Sequence, residues 1–245
     1  MARYFIEVSY KGTAYSGFQV QENAITIQSE VEKAFAMLHR HPAQLTGSSR
    51  TDAGVHALQN YFHFDYESQL HPQAVYKLNA ILPPDIVVRN IHQMPQKAHS
   101  RFDAISREYV YKIHTFKSPF LDHASFYYPY KLNIELLQEG AAYFLTQQNF
   151  FAFSKTNTQV KNFQCKILKS QWLIEEEGLT YSIEGNRFLR GMVRLLTATL
   201  LKLGREKITF EEFESLFQEE RKCGLSLPSH GLYLNRVFYP VDYFQ

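Results

Sequence analysis

Residues 47–57 read Gly47-Ser-Ser-Arg-Thr-Asp-Ala-Gly-Val-His-Ala57. The stretch is polar and glycine-flanked, which predicts a loop between ordered elements. It holds one carboxylate, Asp52, with Arg50 two residues before it. An ionised carboxylate on a tight loop beside a bound nucleotide can act as nucleophile or as base. Taken alone, such an aspartate reads more readily as a turn or cap residue. The neighbouring segments therefore decide between the two.

Working outward, residues 3–10 alternate apolar and polar and predict a strand. Ile27, Val31, Ala34, Phe35 and Leu38 recur at helical spacing, with Thr26 as N-cap and an end near His41-Pro42. Residues 61–66 predict a strand, 72–81 a helix begun by proline, 86–91 and 105–116 further strands, and 134–145 a helix. Residues 163–174 and 179–184 predict a hairpin around Glu177-Gly178. Residues 188–203 form the most apolar helical stretch, closed by Gly204, and 209–217 a short helix with Thr209 and Glu212 as a capping box. Residues 232–239 predict a last strand. Strand-helix-strand-helix-strand thus runs roughly twice. This predicts an α+β fold of two similar halves, each a mixed or antiparallel sheet with helices on one face. The halves are placed at 1–104, carrying the Asp52 loop, and 105–245, with the seam near 100–106.

The chain has 245 residues, 45% of them hydrophobic and 20% charged, which suits a globular core. A formal net charge of +2 allows nucleic-acid binding only where positive charge gathers on one face. Lys and Arg dominate 40–50, 101–112 and 187–205, whereas Asp and Glu are dense at 175–177 and 211–220. Two distant cysteines, Cys165 and Cys223, predict neither disulfide framework nor zinc site and suggest a reducing compartment. No apolar run reaches a membrane span, so a soluble cytoplasmic protein is expected. His56, His63 and His99 lack Cys or acidic partners at ligand spacing, so no metal is expected and His56 is read as supporting its loop. Without a Gly-rich phosphate loop or dinucleotide fingerprint, no cofactor is expected.

Arg50-Thr-Asp-Ala-Gly-Val-His56 resembles the signature of the TruA family of tRNA pseudouridine synthases. Further segments match in order: Tyr10-Lys-Gly-Thr-Ala-Tyr-Ser-Gly-Phe-Gln19, Leu78-Asn-Ala-Ile-Leu-Pro-Pro-Asp-Ile86, His99-Ser-Arg-Phe-Asp-Ala104, Arg107-Glu-Tyr-Val-Tyr111, Met192-Val-Arg194 and Gly231-Leu-Tyr-Leu234. The resemblance spans nearly the whole chain, and the order and spacing together are specific. It implies the pseudouridine synthase fold, with the two sheets joined across a central basic cleft. It makes Asp52 the catalytic aspartate, Tyr109 the tyrosine packed on the target base, Arg194 the basic partner of the aspartate, and Arg50 a nucleotide-flipping arginine. Arg101, Arg187 and Arg190 are the further candidates for substrate binding. Spacings of three and four place Arg187, Arg190 and Arg194 on one side of a helix. The competing reading of Tyr109 is a core aromatic, because Tyr111 and Ile113 share its strand face.

The resemblance also implies uridines 38, 39 and 40 of tRNA as substrates, and a homodimer in which one tRNA contacts both subunits. Two positions depart from the family pattern: Ser49 and Leu58 stand where glycine is usual. Glycine often marks a positive φ or a close backbone approach, so these departures predict either a reshaped loop around Arg50 or an altered fit to RNA. They lend some weight to a non-catalytic or retargeted RNA-binding paralogue of the same fold. A glycosidase-like hydrolase is the other rival, but such enzymes commonly use two carboxylates.

Overall fold

The computed structural model describes residues 1–156, 160–218 and 221–244, so Glu219 and Glu220 of the acidic 211–220 run lie outside the described residues. The chain divides into two compact units, Met1–Ile105 with Tyr233–Gln245, and Ser106–Leu232. The second half read from sequence ran through 245; the structure groups Tyr233–Gln245 with the first unit instead.

In the first unit, β1 (Ala2–Tyr10) is followed by α1 (Ile27–His39), β2 (Thr46–Gly47), β3 (His56–Tyr66), α2 (Ala74–Ile81) and β4 (Ile86–Met94). β1 lies between β3 and β4 and pairs antiparallel with both, for example at Ile6↔Phe62 and Ile6↔Ile91. α1 starts where expected: Thr26 Oγ1 accepts from Ser29 N, and the Ser29 hydroxyl answers as a capping box. Arg40 ends it in the left-handed region at φ 58°. Ile27, Val31, Ala34 and Phe35 are its buried stripe. Phe35 meets the edges of Phe64 and Tyr66 at 5.0 and 5.3 Å, so this helix covers the face of β3 that carries even-numbered residues.

In the second unit the order is β5 (Ser106–His114), β6 (Phe126–Tyr127), α3 (Ile134–Tyr143), β7 (Ile167–Glu175), β8 (Gly178–Gly185), α4 (Met192–Gly204) and α5 (Phe210–Ser215). β8 pairs antiparallel with both β5 and β7, and Glu176-Glu177 make the tight turn of the β7–β8 hairpin. α4 is buried almost throughout. Its two central threonines cost little there, because Thr197 and Thr199 donate to the carbonyls of Val193 and Leu195 four residues back. Gly140 of α3 lets the two helices approach closely: a Cβ there would come within 2.8 Å of Leu200 and Leu203.

The sequence predicted a helix over 188–203, but α4 begins only at Met192. Gly191, at φ 73°, turns the chain through a conformation that cannot continue a right-handed helix. Arg187 and Arg190 therefore precede the helix and share no helical face with Arg194.

The last strand, β9 (Leu232–Phe238), pairs parallel with β3 at His56↔Tyr233 and Ala57↔Leu234. Beyond it the chain packs on the other face of β3. The Tyr61 ring stacks on Phe244 at 5.2 Å, and Phe5 meets Tyr239 and Tyr243 at 6.0 and 5.9 Å. Both faces of β3 are thereby covered, which explains why it is nearly continuously buried rather than alternating.

Candidate active site

Asp52 sits in the turn between β2 and β3, where Val55 N–H donates to the Asp52 carbonyl at 3.1 Å and Gly54 takes φ 77°. This loop is clamped from three sides. From β3, the fully buried Asn60 donates through Nδ2 to the Ser49 carbonyl at 2.8 Å. From β1, the Tyr10 hydroxyl meets Thr51 Oγ1 at 2.8 Å. From the segment after β1, Phe18 N–H donates to the Thr51 carbonyl at 3.1 Å, and Gly12 N–H donates to His56 Nδ1 at 3.0 Å. His56 thus supports its loop as expected, with Nδ1 as acceptor and its ring against Tyr233 at 4.6 Å.

Two glycines make the clamp possible. A Cβ on Gly12 would lie 2.0 Å from the Val55 carbonyl oxygen, so only glycine lets this backbone rest on the loop. Gly17, at φ 104°, passes the backbone around Thr51 and Ala53. The sequence marked 10–19 by resemblance but not the role of these glycines. Asn60 was also missed; its signal is a small amide placed directly before the aromatic run Tyr61-Phe62-His63-Phe64.

Ser49 and Leu58 do not take the positive-φ backbone that glycine often marks. Ser49 is buried and its carbonyl takes the Asn60 bond, whereas Leu58 is an exposed β3 residue whose carbonyl accepts from Ser9 Oγ at 2.6 Å.

Arg50 and Arg101, both exposed, line one groove of about 510 Å³ in the first unit, together with His99 and Phe102. These two predicted substrate-binding residues are therefore brought together, although 51 positions separate them.

Tyr109 and Arg194 belong to the second unit. Tyr109 lies on β5, buried but for about 9% of its surface, with its ring edge-on to Phe188 at 5.2 Å. Its strand neighbours Tyr111 and Ile113 are core residues: Tyr111 is wholly buried, its hydroxyl donates to the Pro228 carbonyl at 2.8 Å, and burial pushes its phenol pKa up. Arg194 stands in the first turn of α4, where Nε donates to the Leu227 carbonyl at 2.6 Å. That bond fixes the plane of the guanidinium fork. Arg190 is exposed and Arg187 half-buried, on the segment before α4.

Cys165 is buried and its thiol is pushed up to about 11, so it carries little thiolate at neutral pH. Among the described residues there is no group of His, Cys, Asp or Glu arranged to hold a metal ion, and no helix long and apolar enough to cross a membrane.

Residues 141–240 match a family model described as tRNA pseudouridine synthase. Relatives called tRNA pseudouridine synthase A match along the whole chain. That of Parabacteroides distasonis is 39% identical over 248 residues, covering 100% of this chain and 98% of the relative. That of Bacteroides thetaiotaomicron is 40% identical over 250 residues, covering 100% and 93%. That of Exiguobacterium sibiricum is 34% identical over 243 residues, covering 98% of each.

Proposed function

The chain belongs to the tRNA pseudouridine synthase A family and is an isomerase that converts uridine to pseudouridine in tRNA, and we propose that Asp52 is its essential carboxylate and that uridines 38, 39 and 40 of the anticodon stem-loop are its targets. The observation that carries the Asp52 assignment is the clamp on its loop. Side chains and backbone from β1, β3 and the Gly12–Gly17 segment all bond to residues flanking the carboxylate. A rigid loop is what positioning a reacting group within a fraction of an ångström requires.

In the reaction the C1′–N1 bond breaks, the uracil turns while bound, and C5 joins C1′. The proton lost from C5 is matched by one gained at N1, so no oxidant or reductant is needed and no cofactor is expected. Asp52 acts either at C1′ as nucleophile or at C2′ as base. Tyr109 presents a ring to the uracil and a hydroxyl able to take the C5 proton. Arg194, its fork held by Leu227, is the proposed partner of the carboxylate. The base must leave its stack to react, and Arg50 is the proposed flipping residue. Arg101, Arg187 and Arg190 contribute phosphate contacts, which make binding salt-dependent. We further propose a cytoplasmic homodimer, with one tRNA touching both subunits.

The test is tritium release from C5-labelled tRNA, followed by mapping of the modified uridines. Release with pseudouridine at 38–40 supports the reading. Tight binding without release supports a non-catalytic RNA-binding paralogue, and free uracil a hydrolase.

A further inference from the structure

We propose that the groove beside the Asp52 loop is a second nucleotide subsite, in which an unpaired base of the RNA stacks on Phe102 while its phosphate meets Arg50 and Arg101. This rests on the chain acting on tRNA. The base concerned is distinct from the uridine that reacts.

Phe102 leaves 74% of its surface in solvent. The ring is nevertheless not carried on a loose loop. His99 Nδ1 accepts from the N–H groups of both Arg101 and Phe102, at 3.1 and 3.3 Å. His99 N–H donates to Asp103 Oδ2 at 2.8 Å, and Asp103 N–H returns to the His99 carbonyl at 3.0 Å. Ser100, wholly buried, ties this turn to β2 through the Thr46 carbonyl at 3.1 Å and to His63 Nδ1. The His99 ring then supports Phe102 from one side at 4.2 Å and rests on His63 at 4.4 Å. An aromatic face held this firmly loses little entropy when a planar ligand settles on it, which is the economy of a stacking platform.

The charge of the groove selects the ligand. Arg50 lines it, and the Arg101 guanidinium carbon lies 5.8 Å from the Phe102 ring centre, so a base on that ring brings its phosphate within reach of a cation. The acid of the lining, Glu32, is turned inward: its Oε1 accepts from Leu45 N–H at 3.0 Å and from Gln28 Nε2 at 2.8 Å. A volume of about 510 Å³ falls within the range of sites for small organic groups. An aromatic ring beside two arginines, with the carboxylate occupied, fits an anionic ligand with a flat face.

The test uses the full-length protein with tRNA. Phe102→Ala should weaken tRNA binding on the order of tenfold, and Phe102→Tyr, which keeps the ring, should restore it to within about twofold. Arg101→Ala should lower the slope of log affinity against log salt by about one. Phe102→Trp places an indole on the platform, and its emission should be quenched by tRNA, whereas the parent, whose single Trp172 is buried, should respond little. Repeating the quench in Asp52→Ala separates the two readings. Quenching without pseudouridine leaves the subsite standing whatever becomes of the catalytic assignment. Equal tRNA affinity for Phe102→Ala and the parent, a Phe102→Tyr variant as weak as Phe102→Ala, or a change of oligomeric state in Phe102→Ala overturns the proposal.

Discussion

Gly12→Ala should cripple catalysis while leaving tRNA binding nearly intact. The added Cβ would lie 2.0 Å from the Val55 carbonyl oxygen and 2.7 Å from its carbon, and Cβ atoms essentially never come closer than 3.0 Å to another heavy atom. The two backbones must therefore separate by at least 3.0 − 2.0 = 1.0 Å. Neither contact is a flexible side chain that could swing away. Val55 is tied to Asp52 by its N–H, and Gly12 N–H is tied to His56, so the displacement passes into the loop that carries the carboxylate. A misplacement of about 1 Å at a reacting group costs on the order of 10²-fold in rate. Overpacking of this kind also destabilises by about 1–3 kcal/mol, which thermal unfolding should register. Gly224→Ala is the control, since a Cβ there meets nothing within 4 Å. Single-turnover tritium release at saturating tRNA, alongside a filter-binding affinity, measures both halves of the claim. A Gly12→Ala enzyme with the parent's rate would refute the clamp as the device that places Asp52.

The remaining predictions concern charge and protons. Arg194→Lys keeps the charge but loses the fork and the Nε bond to Leu227, so kcat should fall on the order of tenfold or more with tRNA affinity little changed; an unaltered kcat contradicts the positioning role. Tyr109→Phe keeps the ring and removes the hydroxyl. If that hydroxyl takes the C5 proton, tritium release should slow by roughly 10²- to 10⁴-fold, and rapid release in the variant assigns the proton elsewhere. Burial holds the His63 imidazole down at about 4, helped by the neighbouring His99 and Arg3. The unfolded chain takes up this proton below about 6.5, whereas the folded chain resists it. The contribution is intact above that value and is lost as pH falls towards about 4. Denaturant midpoints should fall over that window in the parent and less steeply in His63→Phe; equal slopes refute the assignment.

What the sequence made legible was local. Thr26 could be read as an N-cap and Thr209 with Glu212 as a capping box because such signals span at most four residues; both caps form, and Ser29 completes a second box at Thr26 that the sequence did not announce. The apolar stripe of α1 was readable because its buried face repeats every turn. Non-local devices were hidden. Strand 232–239 was visible as a strand, but its parallel pairing with β3 depends on residues far away in sequence and carries no local mark. The start of α4 was misread because Phe188 and Leu189 extend the apolar pattern of the helix, while the break lies in the backbone of Gly191. Around Asp52 the loop itself was plain. The roles of Gly12 and Asn60 were not, since each acts by touching a segment more than 10 residues away.

The central claim is that one carboxylate, at Asp52, does the chemistry. Asp52→Asn changes a carboxylate to an amide of almost the same size on an otherwise unaltered loop. The decisive measurement is single-turnover tritium release from C5-labelled tRNA by this variant, at concentrations where binding is shown to be complete. The account predicts full tRNA binding with no detectable release; release at the parent's rate would contradict it outright.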